Sequence, residues 1–243
     1  MIISHKYKFI FIKTKKTAGT SIETYLSKYC DTKDIFTPII KEKETKGHKP
    51  RNYIGYFNPK TEINYINKNL SNGSEKQRLI TQSIIESIIG RKFYNHIPAF
   101  KVYTRISKKI WNNYFKFCVE RNPWDKTLSD FYWLNKYRPL TFDDYIKEGN
   151  FIFNYQFYMD VSNKKIIVDR IIKYENLNEE LNEIFDWLNI PFDGKLKIYA
   201  KSKYRKDKRP YQKIFQKEYR NYLDLIGEVF KKEINMHGYK FEG

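Results

Sequence analysis

A short β-branched and aromatic run, Tyr7-Lys8-Phe9-Ile10-Phe11-Ile12, leads through a polar turn, Lys13 to Gly19, into Thr20-Ser21-Ile22-Glu23-Thr24-Tyr25-Leu26. The first run reads as a buried strand. In the second, apolar residues three and four apart predict a helix. The same order recurs downstream. Tyr114-Phe115-Lys116-Phe117-Cys118-Val119-Glu120 reads as a strand, and Arg121-Asn122-Pro123 opens a helix with Asn at the N-cap and Pro at the first helical position. Residues 165–173 hold a third strand region, and Asn176 with Glu179 reads as a capping box for a helix through Trp187 and Leu188. Strands alternating with helices predict an α/β domain with a central, mainly parallel sheet flanked by helices.

Other segments are less regular. Residues 31 to about 75 are polar and broken by Pro38, Gly47, Pro50, Gly55, Pro59 and Asn72-Gly73, which predicts irregular structure with short strands, as in a substrate-facing insertion. Residues 75–94 have the apolar spacing of a helix ending at Gly90. A helical stretch over 98–112 and a last long helix from Tyr211 to Met236 complete the expected elements.

With 243 residues the chain can bury a core, and its aromatic content of 18% argues against a disordered polycation. No apolar run reaches the roughly 18 residues of a membrane-spanning helix, and the N-terminus has no secretory cleavage pattern. Absent targeting signals make a cytoplasmic location the expectation. Cys30 and Cys118 are too few for a disulfide framework and read as buried thiols. The four histidines lack metal-ligand spacing, so no metal is expected. A net charge of +18 points towards anionic partners, although a chain so rich in Lys, Ile, Asn, Tyr and Phe also fits AT-rich coding.

Two segments carry chemistry. Lys15-Lys16-Thr17-Ala18-Gly19-Thr20-Ser21 lies between a strand and a helix, where amides, hydroxyls, a lysine and a close-approach glycine make an anion cradle. It lacks the Walker A glycine and lysine positions, which disfavours an ordinary nucleotide-hydrolysing P-loop. Arg121-Asn122-Pro123-Trp124-Asp125-Lys126-Thr127-Leu128-Ser129 follows the second strand. Ser129 stands two helical turns past Asn122 on the same face, so Arg121 and Ser129 can hold one phosphate between them.

Together these loops resemble the sulfotransferases that use 3′-phosphoadenosine 5′-phosphosulfate (PAPS). That family has P-K-T-x-G-T-S on the 5′ side, and R-N-P with a Ser eight residues after the Arg on the 3′ side. Lys15 stands where the family usually has Pro. His96-Ile97-Pro98-Ala99, Lys173-Tyr174-Glu175-Asn176-Leu177 and His237-Gly238-Tyr239-Lys240-Phe241 resemble its carbohydrate O-sulfotransferase branch. The resemblance covers residues 7–29 and about 94–243.

It implies one P-loop-like, three-layer domain over residues 1–243. The divergent insertion lies at 31–93, and a basic cofactor-covering segment lies at about 195–220. The implied reaction moves a sulfuryl group from PAPS to a hydroxyl of a saccharide or glycoconjugate, leaving 3′-phosphoadenosine 5′-phosphate (PAP), without a metal. Lys16 would stabilise the bridging oxygen. Lys15, Thr17, Ala18, Gly19, Thr20 and Ser21 would line the 5′ side, Arg121 and Ser129 the 3′-phosphate, with Arg209 added from the basic segment. That segment holds eleven Lys/Arg between Lys195 and Arg220 and could also attract an acidic glycan.

His96 is the candidate general base and His48 the second choice. Glu175 reads as structural, and Trp124, Phe131, Tyr132 and Trp133 read as helix-packing core before sugar platform. The rival reading is a basic nucleic-acid-binding protein without catalytic activity. No helix-turn-helix, zinc-finger or RNP1-like pattern supports it.

Overall fold

The computed structural model describes residues 1–39, 48–55, 92–160, 162, 164–196, 207 and 209–241. Strands β1 (Ile2–Ser4) and β2 (Phe9–Phe11) form a tight antiparallel hairpin, with Ile3 opposite Ile10. After α1 (Gly19–Leu26), β3 (Ile35–Phe36) pairs antiparallel with β1, and Phe36 bridges Arg51. Helices α2 (Ala99–Arg105) and α3 (Lys108–Asn113) precede β4 (Phe115–Glu120), which lies parallel to β2. Next come α4 (Pro123–Asn135), α5 (Phe142–Glu148) and the single turn α6 (Tyr155–Tyr158). A small antiparallel pair, β5 (Met159–Asp160) and β6 (Lys165–Ile166), leads to β7 (Arg170–Lys173), parallel to β4.

The fold is therefore α/β with a five-stranded sheet in the order β3-β1-β2-β4-β7. The sheet is mixed: the β2–β4 and β4–β7 pairings are parallel, and β1 alone runs against the other four strands, because the short turn after Ser4 folds it back as a hairpin partner.

Alternation along the strands sends side chains to opposite faces. Phe9, Phe11, Phe117 and Val119 pack on Ile22 and Leu26 of α1 and on Leu181, Ile184 and Phe185. Ile10 and Cys118 pack on Ala99 and Val102 of α2, Trp111 and Tyr158. Both faces are thus covered by helices. A third apolar cluster joins α4 and α5 to the C-terminal helices through Trp124, Leu128, Phe131, Phe142, Phe215 and Phe230. Trp124 and Phe131 are core, as their sequence context suggested.

Several local expectations change. The 98–112 stretch is two helices, because Ile106 is extended and Ser107 caps the second through the Ile110 N–H. Asn176 makes no side-chain cap to α7 (Leu177–Trp187). A 3-10 turn, Tyr174–Asn176, feeds directly into the helix instead. The expected C-terminal helix is broken into α8 (Tyr211–Ile214), a π segment (Phe215–Tyr219), a 3-10 turn (Arg220–Tyr222), α9 (Leu223–Val229) and α10 (Lys231–His237). Much of the 31–93 insertion, including nearly all of its expected helix, and residues 197–206 of the basic segment lie outside the described residues.

Candidate functional site

The loop after β2 is fastened to β4 before it enters α1. Ile12 N–H donates to the Phe117 carbonyl at 2.9 Å, the Thr14 hydroxyl donates to the Val119 carbonyl, and Thr14 and Thr17 share a hydroxyl hydrogen bond of 2.8 Å. These bonds set the turn at the C-terminal ends of two parallel strands, where open α/β sheets present their binding crevice. Lys16 and Ala18 adopt positive φ, 63° and 57°, whereas Thr17 between them does not. Such alternation turns successive N–H groups into one concavity, a nest for an anion. The Ser21 and Ile22 amides bond the Ala18 carbonyl at 2.8 and 3.1 Å. Those of Gly19 and Thr20, ahead of them, have no acceptor within the helix and carry its positive end.

Gly19 is required by close approach. A Cβ there would lie 2.7 Å from Cγ of Lys13, whose stem passes beneath. The Lys13 ammonium pairs with Glu23 of α1 at 2.5 Å, both buried. Burial pushes the Glu23 carboxyl up, but Lys13 and the Met1 amino group beside it hold it down to about 2.

The second loop meets the first directly. Asn122 caps α4 by accepting the Trp124 N–H at 3.1 Å, with Pro123 at the first helical position. Arg121 donates through Nη1 to the Lys16 carbonyl at 2.9 Å, and through Nε and Nη2 to Asp125 at 2.8 and 2.7 Å. Its guanidinium lies 4.0 Å from the centre of the Tyr174 ring. The Lys16 side chain reaches α4, where Nζ is 3.6 Å from Asp130 and 4.9 Å from the centre of the Trp133 ring. Ser129, beside Asp130 in sequence, is partly buried.

His96 joins the same loop. Its Nδ1 lies 3.0 Å from the Lys13 carbonyl. A carbonyl only accepts, so Nδ1 carries the proton and Nε2 the lone pair. The ring leans on Phe157, whose face also takes the Lys15 ammonium at 5.7 Å. Although part of the residue surface is accessible, burial of the ring and then the Lys13 charge hold its pKa well below the usual histidine value. The imidazole is therefore neutral at pH 7. His48 is placed elsewhere, packed edge-on against Phe36. Arg209 is held by Asp207 and Glu218, and none of its described contacts is to Arg121 or Ser129.

Sequence reasoning missed the support beneath the loop. Asn154, fully buried, accepts the Lys15 N–H at 2.9 Å and donates to the Lys15 carbonyl and to Glu120 at 3.0 Å each. Glu120 also accepts from the Arg121 N–H, Lys126 and the Tyr158 hydroxyl, at 2.9, 3.2 and 2.9 Å. Lys126 pairs in turn with Glu233 of α10, which accepts the Asn154 and Tyr155 amides. His237 meets the Tyr158 hydroxyl at 2.8 Å. These partners come from β4, α4, α6, α10 and the loops between elements, and no local pattern announces them. Glu175 accepts the Asn122 N–H at 2.7 Å, a loop-holding role. Among the described residues, no three His, Cys, Asp or Glu side chains converge as metal ligands, and no helix is long and apolar enough to cross a membrane.

An uncharacterized protein of Archaeoglobus fulgidus is 34% identical over 119 residues, an alignment that takes in 45% of this chain and 98% of that protein. The chain belongs to the family of that archaeal protein, which matches somewhat under half of it. No protein-family model matches the chain, and no solved structure matches it.

Proposed function

We propose that the chain is a PAPS-dependent sulfotransferase with a P-loop-like domain, acting on a hydroxyl of a saccharide or glycoconjugate. The observation that carries this reading is the 2.9 Å bond from Arg121 to the Lys16 carbonyl, which makes one site of two separate anion motifs. A nucleotide with phosphate at both its 5′ and 3′ sides needs such a pair. The positive φ values at Lys16 and Ala18 add a concave amide surface to the 5′ side.

Bound PAPS supplies the sulfuryl group and a phosphate leaving group, so the new acceptor O–S bond forms as the S–O bond to phosphate breaks. Lys16 and the amides of Ala18, Gly19 and Thr20 neutralise charge on the 5′ side. Arg121 and Ser129 take the 3′-phosphate. Nε2 of His96, neutral and fixed through its Nδ1 proton, accepts the proton of the acceptor hydroxyl. Lys15, beside Phe157, adds positive charge at the rim.

Calorimetry at about 150 mM salt tests the reading. PAP is expected to bind much more tightly than adenosine 5′-phosphate or ATP. Equal affinities would overturn the assignment of the 3′-phosphate site and return nucleic acid to consideration.

A further inference from the structure

Asp130 is an unexpected neighbour for an anion site. Its carboxylate is buried on α4, 3.6 Å from the Lys16 ammonium, and accepts the Tyr145 hydroxyl of α5 at 3.2 Å. The Trp133 ring, one turn further along α4, stands over the same ammonium. A carboxylate in this position opposes any phosphate or sulfate that Lys16 is to meet. Lys16 cannot compensate a buried Asp130 and a bound dianion equally well, since both need its charge.

We infer that an anion arriving at the 15–21 loop draws the Lys16 ammonium from Asp130, and that Asp130 then takes up a proton from solvent, so that the carboxylate gates affinity at the site. This rests on the functional reading above for the identity of the ligand. The balance is simple: one solvent proton forms an O–H bond on Asp130 as its ion pair with Lys16 is lost. Among the described residues, the groups that bear on Asp130 are Lys16 and Lys15 from the loop and Tyr145 from α5. Burial already raises the Asp130 carboxyl, against the opposing pull of Lys16, and withdrawal of that ammonium favours the acid further. Tyr145 serves either state, because its hydroxyl can donate to the carboxylate or accept from the acid.

The inference makes Asp130 a positioning residue whose removal strengthens binding. Asp130→Asn keeps the shape and a partner for Tyr145, and is expected to bind PAP about tenfold more tightly at pH 7.5, the order expected for deleting one charge several ångströms from a dianion. That advantage should shrink as pH falls, because a proton already on wild-type Asp130 removes the charge that opposes the ligand. Calorimetry of PAP in buffers of different ionisation enthalpy should show proton uptake in the wild type beyond that in Asp130→Asn. The phosphates of PAP titrate in both proteins, so the difference between them is the signal.

Tyr145→Phe is the second variant. It removes the donor that favours ionised Asp130 and should tighten PAP about threefold while retaining proton uptake. It decides the matter if Asp130→Asn fails to fold. Inorganic pyrophosphate, which needs the loop but no 3′ site, is titrated in parallel. An Asp130→Asn gain with pyrophosphate, but no preference for PAP over adenosine 5′-phosphate, would keep the gate and discard the sulfotransferase reading. PAP-selective binding with unchanged or weaker affinity in folded Asp130→Asn, and no difference in proton uptake, would overturn the gate alone. No binding of either probe to either protein overturns both.

Discussion

The guanidinium of Arg121 donates to the backbone carbonyl of Lys16 across 2.9 Å, so the conformation of the first anion loop depends on a side chain from the second. Arg121 thereby holds the loop, in addition to the ligand role proposed for it. The fork geometry matters, because one planar group serves the carbonyl, Asp125 and the Tyr174 ring together.

Arg121→Lys keeps the charge and loses the fork. It is expected to weaken PAP by more than about tenfold, the order of losing a charge-assisted hydrogen bond, and adenosine 5′-phosphate by less. Titration of both nucleotides against the variant checks this. Equal losses would mean that only the loop-holding role exists.

Lys16→Ala should lower sulfuryl transfer from PAPS at least about a hundredfold by removing stabilisation of the leaving oxygen. His96→Ala should abolish transfer with PAP affinity near wild type. Initial rates over a panel of saccharide acceptors, with PAP titrations alongside, separate the two roles. A fully active His96→Ala would move the base elsewhere.

The pair under the loop is a stability element. Glu23→Gln leaves the buried Lys13 ammonium without its carboxylate and is expected to cost about 3 kcal/mol in urea unfolding. Gly19→Ala drives a methyl into the Lys13 stem, held at its far end by Glu23, and should cost about 1–3 kcal/mol. A Gly19→Ala variant as stable as wild type would show that Lys13 has room to move.

His96 gives the fold a pH dependence of known sign. As pH falls through 6.5, the unfolded chain takes a proton at this residue and the folded chain does not, so its contribution is present above 6.5 and lost below it. The loss is up to about 1.4 kcal/mol per pH unit until the depressed folded value is reached. His237, lowered by burial, acts in the same sense. Asp130, Glu175 and Glu233, raised mainly by burial, act oppositely, favouring the fold as pH falls towards the ordinary carboxylate range. Urea midpoints at pH 7 and 5.5 should therefore fall less in His96→Gln than in the wild type. An identical drop would refute the assignment.

What could be read in advance was local. Phe9-Ile10-Phe11 announces a strand and Asn122-Pro123 announces a helix start, because strand pattern and cap chemistry reside in adjacent residues. The hairpin strand β1 escaped notice since three residues, Ile2–Ser4, hold too little pattern. The left-handed backbone at Lys16 and Ala18 is imposed by bonds to β4 and Asn154, and neither residue type favours it. Asn154 reaches Lys15 across 139 positions, Glu233 reaches Asn154 across 79, and Asp130 meets Lys16 of a loop far upstream, distances at which spacing carries no signal.

The union of Glu120, Lys126, Asn154 and Glu233 also has a consequence for the order of events during synthesis. Glu233 lies in α10, 107 positions after Lys126, yet it neutralises Lys126 and accepts the amide of Asn154, the residue that clamps Lys15. A nascent chain can build β2, α1 and β4 and tie the loop after β2 to β4 before α10 has left the ribosome, but the carboxylate that holds the Asn154 amide is then still missing. Docking of α10 then closes a buried carboxylate–ammonium–carboxylate core around Lys126 and locks Asn154 beneath Lys15.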